Sequence, residues 1–144
     1  MKKYEVVVVQ KKLLQLESWG FERGLLYNTY TTREITDAYI HQATASWTAI
    51  KTAIACEIAE GHDYNFEGHQ LQPKLVHELL VNYSSIEIKM IFLVKRSVSL
   101  IAEGLQKNSA KNDWAIQKTA NPETYIKIAK MVSEYSTFFE QEAH

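Results

Sequence analysis

The sequence predicts an all-α fold: an up-and-down bundle of four main helices with one short extra helix. Three observations predict it. Apolar residues recur every three or four positions over long stretches, the period of a helix with one buried face. Capping residues stand at the ends of those stretches. Glycine and proline are scarce, with 5 Gly and 2 Pro in 144 residues, and most of them fall at the same ends. A chain of this length suits a single domain, spanning 1–144, with enough core to need no staples.

The first helix is expected from about Tyr4 to Trp19, bending on toward Tyr27. Val6, Val9, Leu13 and Leu16 have helical spacing, while the four consecutive valines also favour a strand. No other segment reads clearly as β, so the helix is preferred. The second helix begins at Thr31-Thr32-Arg33-Glu34, a capping box. The Thr hydroxyl and the Glu carboxylate can each satisfy an orphan backbone N–H of the first turn. Ile35, Tyr39, Ala43, Trp47, Ile50, Ile54 and Ile58 then form its stripe, and Gly61 suits the left-handed position after its end.

Residues 62–72 read as a polar loop, and Pro73 suits the first turn of a third helix. Leu75, Leu79, Tyr83, Ile86, Met90, Leu93, Val94, Ile101 and Leu105 continue one stripe. They predict a helix of roughly 50 Å, the central element of the bundle. Gly104 could end or kink it. A short helix carrying Trp114 is expected from 109 to 118. Asn121-Pro122-Glu123 opens the last helix, with an N-cap, an N1 proline and an acid near the positive end of the dipole. Its stripe is Tyr125, Ile128, Val132, Tyr135 and Phe139.

Composition narrows function more than it defines it. The formal net charge of -1 argues against a strong generic nucleic-acid binder. The charge is uneven, however. Residues 31–70 carry two basic and six acidic groups, and residues 71–112 carry six basic and three acidic groups. A locally basic site or opposed faces for self-association would follow from that asymmetry. One cysteine, Cys56, excludes a disulfide framework within the chain and is expected to pack in the core. No stretch has the apolar length of a membrane span, and no cleavage site follows the basic start and short valine run. The expected location is cytoplasmic.

Ala38-Tyr39-Ile40-His41-Gln42-Ala43, then Gly68-His69-Gln70-Leu71 opening a helix, then Asn121-Pro122-Glu123 opening the last one, follow in an order that resembles the HEPN superfamily. The resemblance covers roughly residues 20–140. It implies a helical domain of toxin–antitoxin or defence systems that commonly forms homodimers. It also implies a nucleotide, RNA, nucleotidyltransferase or toxin partner. Ribonuclease members of that superfamily use an Arg followed, after four to six residues, by His. Here Arg96 is followed, after six residues, by Glu103. Arg33 and His41 have seven residues between them and lie on another helix. The resemblance thus implies the scaffold without the catalytic pair. A second stretch, Ala53-Ile54-Ala55-Cys56-Glu57-Ile58-Ala59-Glu60-Gly61, is similar to a segment of four-helix-bundle proteins related to those encoded by 23S rRNA intervening sequences.

The candidate nucleotide or RNA site comprises Arg96, Lys95, Lys89, Glu103, His41 and Lys107. Arginine and lysine can hold phosphate oxygens, and nearby aromatics such as Tyr83, Phe92 and Trp114 can stack bases. No catalytic residue is assigned, since an imidazole is missing where general acid–base work would need one. His62, His69 and His77 lie near Glu57, Glu60, Asp63 and Glu67, but no metal-ligand spacing links them, and neither a metal nor a cofactor is expected. The function expected first is noncatalytic binding of a nucleotide, RNA or nucleotidyltransferase by a homodimeric HEPN-like bundle. The alternative is a pure protein-interaction bundle, such as an immunity factor, inhibitor or antitoxin.

Overall fold

Helix periodicity over most of the chain becomes helix in the computed structural model, which describes residues 25–61, 63–107 and 121–143. Five helices form there and no strand: α1 (Leu25–Thr29), α2 (Thr32–Glu60), α3 (Pro73–Asn82), α4 (Val98–Lys107) and α5 (Pro122–Ala143). The expected N-terminal helix up to Trp19 and the short helix over 109–118 lie outside the described residues. The expected all-α bundle is what forms.

Local signals set the helix ends. The capping box is complete: Glu34 N–H donates to the Thr31 hydroxyl at 3.2 Å, and Thr31 N–H donates to the Glu34 carboxylate at 2.8 Å. Gly61 takes φ 72° at the other end of α2, where a side chain would be strained, and its N–H bonds back to Ile58. Pro73 occupies the first turn of α3 after Gln72. Asn121 accepts from Glu123 N–H at 3.0 Å and so starts α5.

α5 is the hub. It packs most extensively on α4, then on α2, and also touches α3 and α1. The closed end of the core joins Leu26 and Tyr27 of α1, Ile35 of α2, and Ile128 and Met131 of α5. At the other end Trp47 and Ile54 of α2 meet Val76 and Leu79 of α3. The α2 stripe is as expected: Ile35, Ala43, Trp47 and Ile54 are buried, while Tyr39, Ile50 and Ile58 are half-buried. Cys56 is exposed, contrary to expectation. It stands two residues beyond Ile54, about 200° around the helix from that buried position.

The third helix departs most from expectation. It ends at Asn82 with Tyr83 as its cap, and the chain becomes helical again only at Val98. Ser97 starts α4 by accepting from Leu100 N–H at 3.4 Å, and α4 then runs through Gly104 to Lys107. After a turn closed by Ile86 N–H on the Tyr83 carbonyl at 2.9 Å, residues 87–96 form a ribbon without helical hydrogen bonds. Ile88, Met90 and Phe92 pack inward, while Glu87, Lys89, Ile91 and Leu93 face out. Alternation with period two marks extended chain. Ile86, Leu93 and Val94 were expected to be buried, but they are 40%, 92% and 41% exposed. Asn82, Ser84 and Ser85 and the β-branched Ile86, Ile88, Ile91 and Val94 weaken a helix here, and packing of Ile88, Met90 and Phe92 over Trp47, Val76 and Leu79 decides for the ribbon.

Candidate functional site

The break in the third helix opens a cleft of about 1190 Å³ between the ribbon, α2, α3, α5 and the 63–71 loop. Its floor is apolar. Ile54, Val76 and Leu79 contribute from α2 and α3, and Met131 and Phe139 from α5, with Phe92 from the ribbon. The aromatic floor is continuous: Phe92 meets Phe139 edge-on at 5.6 Å, and Phe139 meets Tyr135 at 4.9 Å. Glu57, Asp63, Glu67 and Glu87 stand among its lining residues beside a single lysine, Lys89. Bundle helices often enclose ligand sites of this kind, with an apolar lining and a few polar groups.

A polar knot fixes one wall. Tyr135 of α5 donates to the His69 carbonyl at 2.8 Å and accepts from Gln72 at 3.0 Å. Gln72 is only 2% exposed, so this bond satisfies a buried amide. The His69 ring lies 4.9 Å from Tyr39, edge-on, and its Nε2 is 3.4 Å from Gln42 Oε1. Burial pushes the Tyr135 phenol above its ordinary pKa, partly offset by the Gln72 bond, so it stays a neutral donor. The loop that bears Gly68-His69-Gln70-Leu71 is thereby tied to α2 and α5. Its histidine braces the wall, and α3 begins with no side-chain cap bond.

Trp47 braces the far side. Its indole N–H donates to Glu78 at 2.9 Å, and Lys51 reaches the same carboxylate at 3.2 Å. These donors, the Trp47 bond first, hold the Glu78 carboxyl below the usual carboxylate range.

Five of the six residues expected to form a nucleotide or RNA site are engaged within the chain. Arg96 is paired with Glu140 of α5, which strengthens its charged form. Lys95 donates its backbone N–H to Ser136 at 3.1 Å and its ammonium to the Leu100 carbonyl at 3.3 Å. Lys89 pairs with Glu87 at 3.0 Å. Glu103 is held by Lys107, one turn along α4, rather than by Arg96. His41 is exposed on α2. The break also changes the spacing of the basic residues. On a helix, Lys89 and Arg96 would lie two turns apart on one face, about 10 Å. On extended chain the same seven steps span about 23 Å. Phe92 lies in the floor of the cleft against Phe139, and Trp114 lies outside the described residues.

Sequence reasoning missed Tyr135 and Gln72 as partners, and it missed the cleft. A polar tip on the α5 stripe was the available signal, since a buried Tyr hydroxyl needs a partner. Among the described residues no group of three or more His, Cys, Asp or Glu side chains is placed to hold a metal ion. No helix among them is long and apolar enough to cross a membrane. Comparison of the chain with protein-family models, curated proteins and solved structures finds no match.

Proposed function

We propose that this chain is a noncatalytic binding module of the cytoplasm whose cleft receives an apolar, basic segment of a partner protein. The cleft carries the proposal: an apolar floor of helix-contributed side chains under a lining with four carboxylates and one lysine. A groove of that kind takes the apolar face of an amphipathic helix, and its rim attracts Lys and Arg on the other face. A phosphate-rich ligand would meet repulsion at the same rim. In this reading the chain acts as an immunity factor, inhibitor or antitoxin. The resemblance to HEPN domains supports such a scaffold, and a toxin is the fitting partner class.

The nucleotide and RNA reading rests on Arg96, Lys95, Lys89, Glu103, His41 and Lys107. Of these six, Lys89 alone is among the residues lining the cleft, and carboxylates hold Arg96, Lys89 and Lys107. The experiment is fluorescence anisotropy with two probes: a labelled Leu/Lys amphipathic 18-residue peptide and a labelled single-stranded RNA in EDTA. The peptide is expected to bind, and to weaken about tenfold both with Asp63→Lys/Glu67→Lys at the rim and with Phe139→Ala in the floor. RNA binding that Arg96→Ala abolishes, with no peptide binding, would overturn the proposal and restore the nucleic-acid reading.

A further inference from the structure

An apolar floor under an acidic lining favours an apolar segment flanked by basic residues, and this chain carries one. Val6, Val7, Val8 and Val9 stand in a row, with Lys2 and Lys3 before them and Lys11 and Lys12 after. Glu5 is the one acid among residues 1–12. The cleft lining has the inverse balance. Glu57, Asp63, Glu67 and Glu87 line it with Lys89 alone, and Lys89 is already paired with Glu87. The remaining negative charge is of the sign that the lysine flanks would offset.

The distances allow the two to meet. The described residues open at Leu25, and Leu26 and Tyr27 share a core cluster with Met131, which also lines the cleft. Tyr39 packs against that cluster and lines the cleft too, so the chain enters the bundle at one end of it. From Tyr39 to Ile54, both lining residues on α2, the cleft runs about 22 Å. The steps from Leu25 back to Val9 span about 24 Å at the helical rise and about 50 Å extended. The valine run thus reaches the ribbon whatever the conformation of the residues between.

The ribbon offers the surface. Ile91 and Leu93 line the cleft and are 84% and 92% exposed. Among the described residues, no backbone group of 87–94 finds a backbone partner. Ile88, Met90 and Phe92 hold the ribbon against the helices from its other side. An extended segment so held is a template for another strand, and valine suits a strand.

We propose that the valine run is the cleft's own occupant and restrains partner binding. Val6 to Val9 lie along the ribbon over Ile91 and Leu93, and the flanking lysines meet Asp63 and Glu67. The inference rests on the reading of the cleft as a partner site and assigns the regulation of that site. A tethered segment competes at an effective concentration on the order of 1 mM, so a free partner binds only by displacing it. The chain is then a self-inhibited binder.

The test is disulfide trapping in the full chain with Cys56→Ala. Val7→Cys/Ile91→Cys or Val8→Cys/Ile91→Cys, one for each face of the run, is expected to close a bond within one chain, since paired strands bring residues within bridging distance. Trapping by Leu100→Cys, exposed on α4 and outside the cleft lining, is expected to be at least about tenfold slower. The second measurement is the affinity of the Leu/Lys peptide. Val7→Asp/Val9→Asp is expected to tighten it about tenfold, because the competitor leaves the cleft, with circular dichroism checking that the helices are intact. A bond between two chains overturns the proposal by assigning the run to a second copy. So do equal trapping rates at Ile91 and Leu100, or a peptide affinity that the aspartates leave unchanged. The cleft then stands as a partner site without an occupant of its own. No peptide binding by either form overturns the partner site itself, and with it the inhibitory role.

Discussion

The closed end of the core and the ribbon are built from the same kinds of side chain and meet opposite fates. Leu26, Ile35, Ile128 and Met131 are buried where α1, α2 and α5 meet. Ile91 and Leu93 are almost fully exposed. The difference lies in the backbone. A helix satisfies its own N–H and C=O groups, so its apolar stripe can be buried without further partners. An extended segment cannot, and its edge must stay in water or find another strand. One region therefore holds the fold together, while the other is available for association.

The contrast is broken if equal truncations have equal effects. Ile128→Ala is expected to destabilise by about 2–5 kcal/mol, since the neighbouring helices cannot fully close the cavity. Leu93→Ala should change the stability of the isolated subunit by less than about 0.5 kcal/mol. Urea denaturation at low protein concentration measures both. Ile86 belongs with Leu93: it is 40% exposed, so a polar substitution there is expected to be mild.

A smaller effect tests how the cleft wall is anchored. Tyr135→Phe removes the bond to the His69 carbonyl and leaves the buried Gln72 amide without its acceptor. The expected loss is about 1–3 kcal/mol, with faster amide hydrogen exchange across 63–72 and little change in α1. Uniform acceleration along the chain would show that the knot is general packing rather than a local anchor.

The smallest effect is one of pH. The Glu78 carboxyl sits below its ordinary 4.5 because of Trp47 and Lys51, and Glu34 is lowered by the Thr31 backbone and side chain. A folded-state pKa below the unfolded one means that the unfolded chain binds the proton more tightly. The stabilisation is then complete above the ordinary carboxylate range and is lost as pH falls through the folded values. The melting temperature is expected to fall between about pH 5 and pH 3, and Glu78→Gln should flatten part of that fall. Both groups are exposed, so salt should shrink the effect. A steeper slope in the variant would contradict the assigned pairing.

Much of the fold was legible because its signals are local. The Thr31–Glu34 capping box, Gly61, Pro73 and Asn121 each act within four residues, and all four boundaries stand where these residues put them. The stripe from Ile35 to Ile58 also reads correctly, since only one period fits it. From Ile86 to Val94 nearly every second and every fourth residue is apolar, so periods of 2 and 3.6 both fit. The serines at 84 and 85 were the signal for a break, but they lack the weight of a glycine or proline. The spacing of the basic residues along the chain changed with the helix that would have aligned them.

The sequence by itself determined an all-α chain, the ends of its helices, and the buried face of α2. Only tertiary structure decided what the apolar middle segment does. Helix or ribbon there depends on whether Ile88, Met90 and Phe92 gain more by packing over Trp47, Val76 and Leu79 than a helix gains from its own hydrogen bonds. That balance is between contacts distant in sequence. The partners of Arg96, Tyr135 and Trp47 were decided the same way, each between 31 and 66 residues distant along the chain. No periodicity reports such pairings, because they exist only once the helices have met.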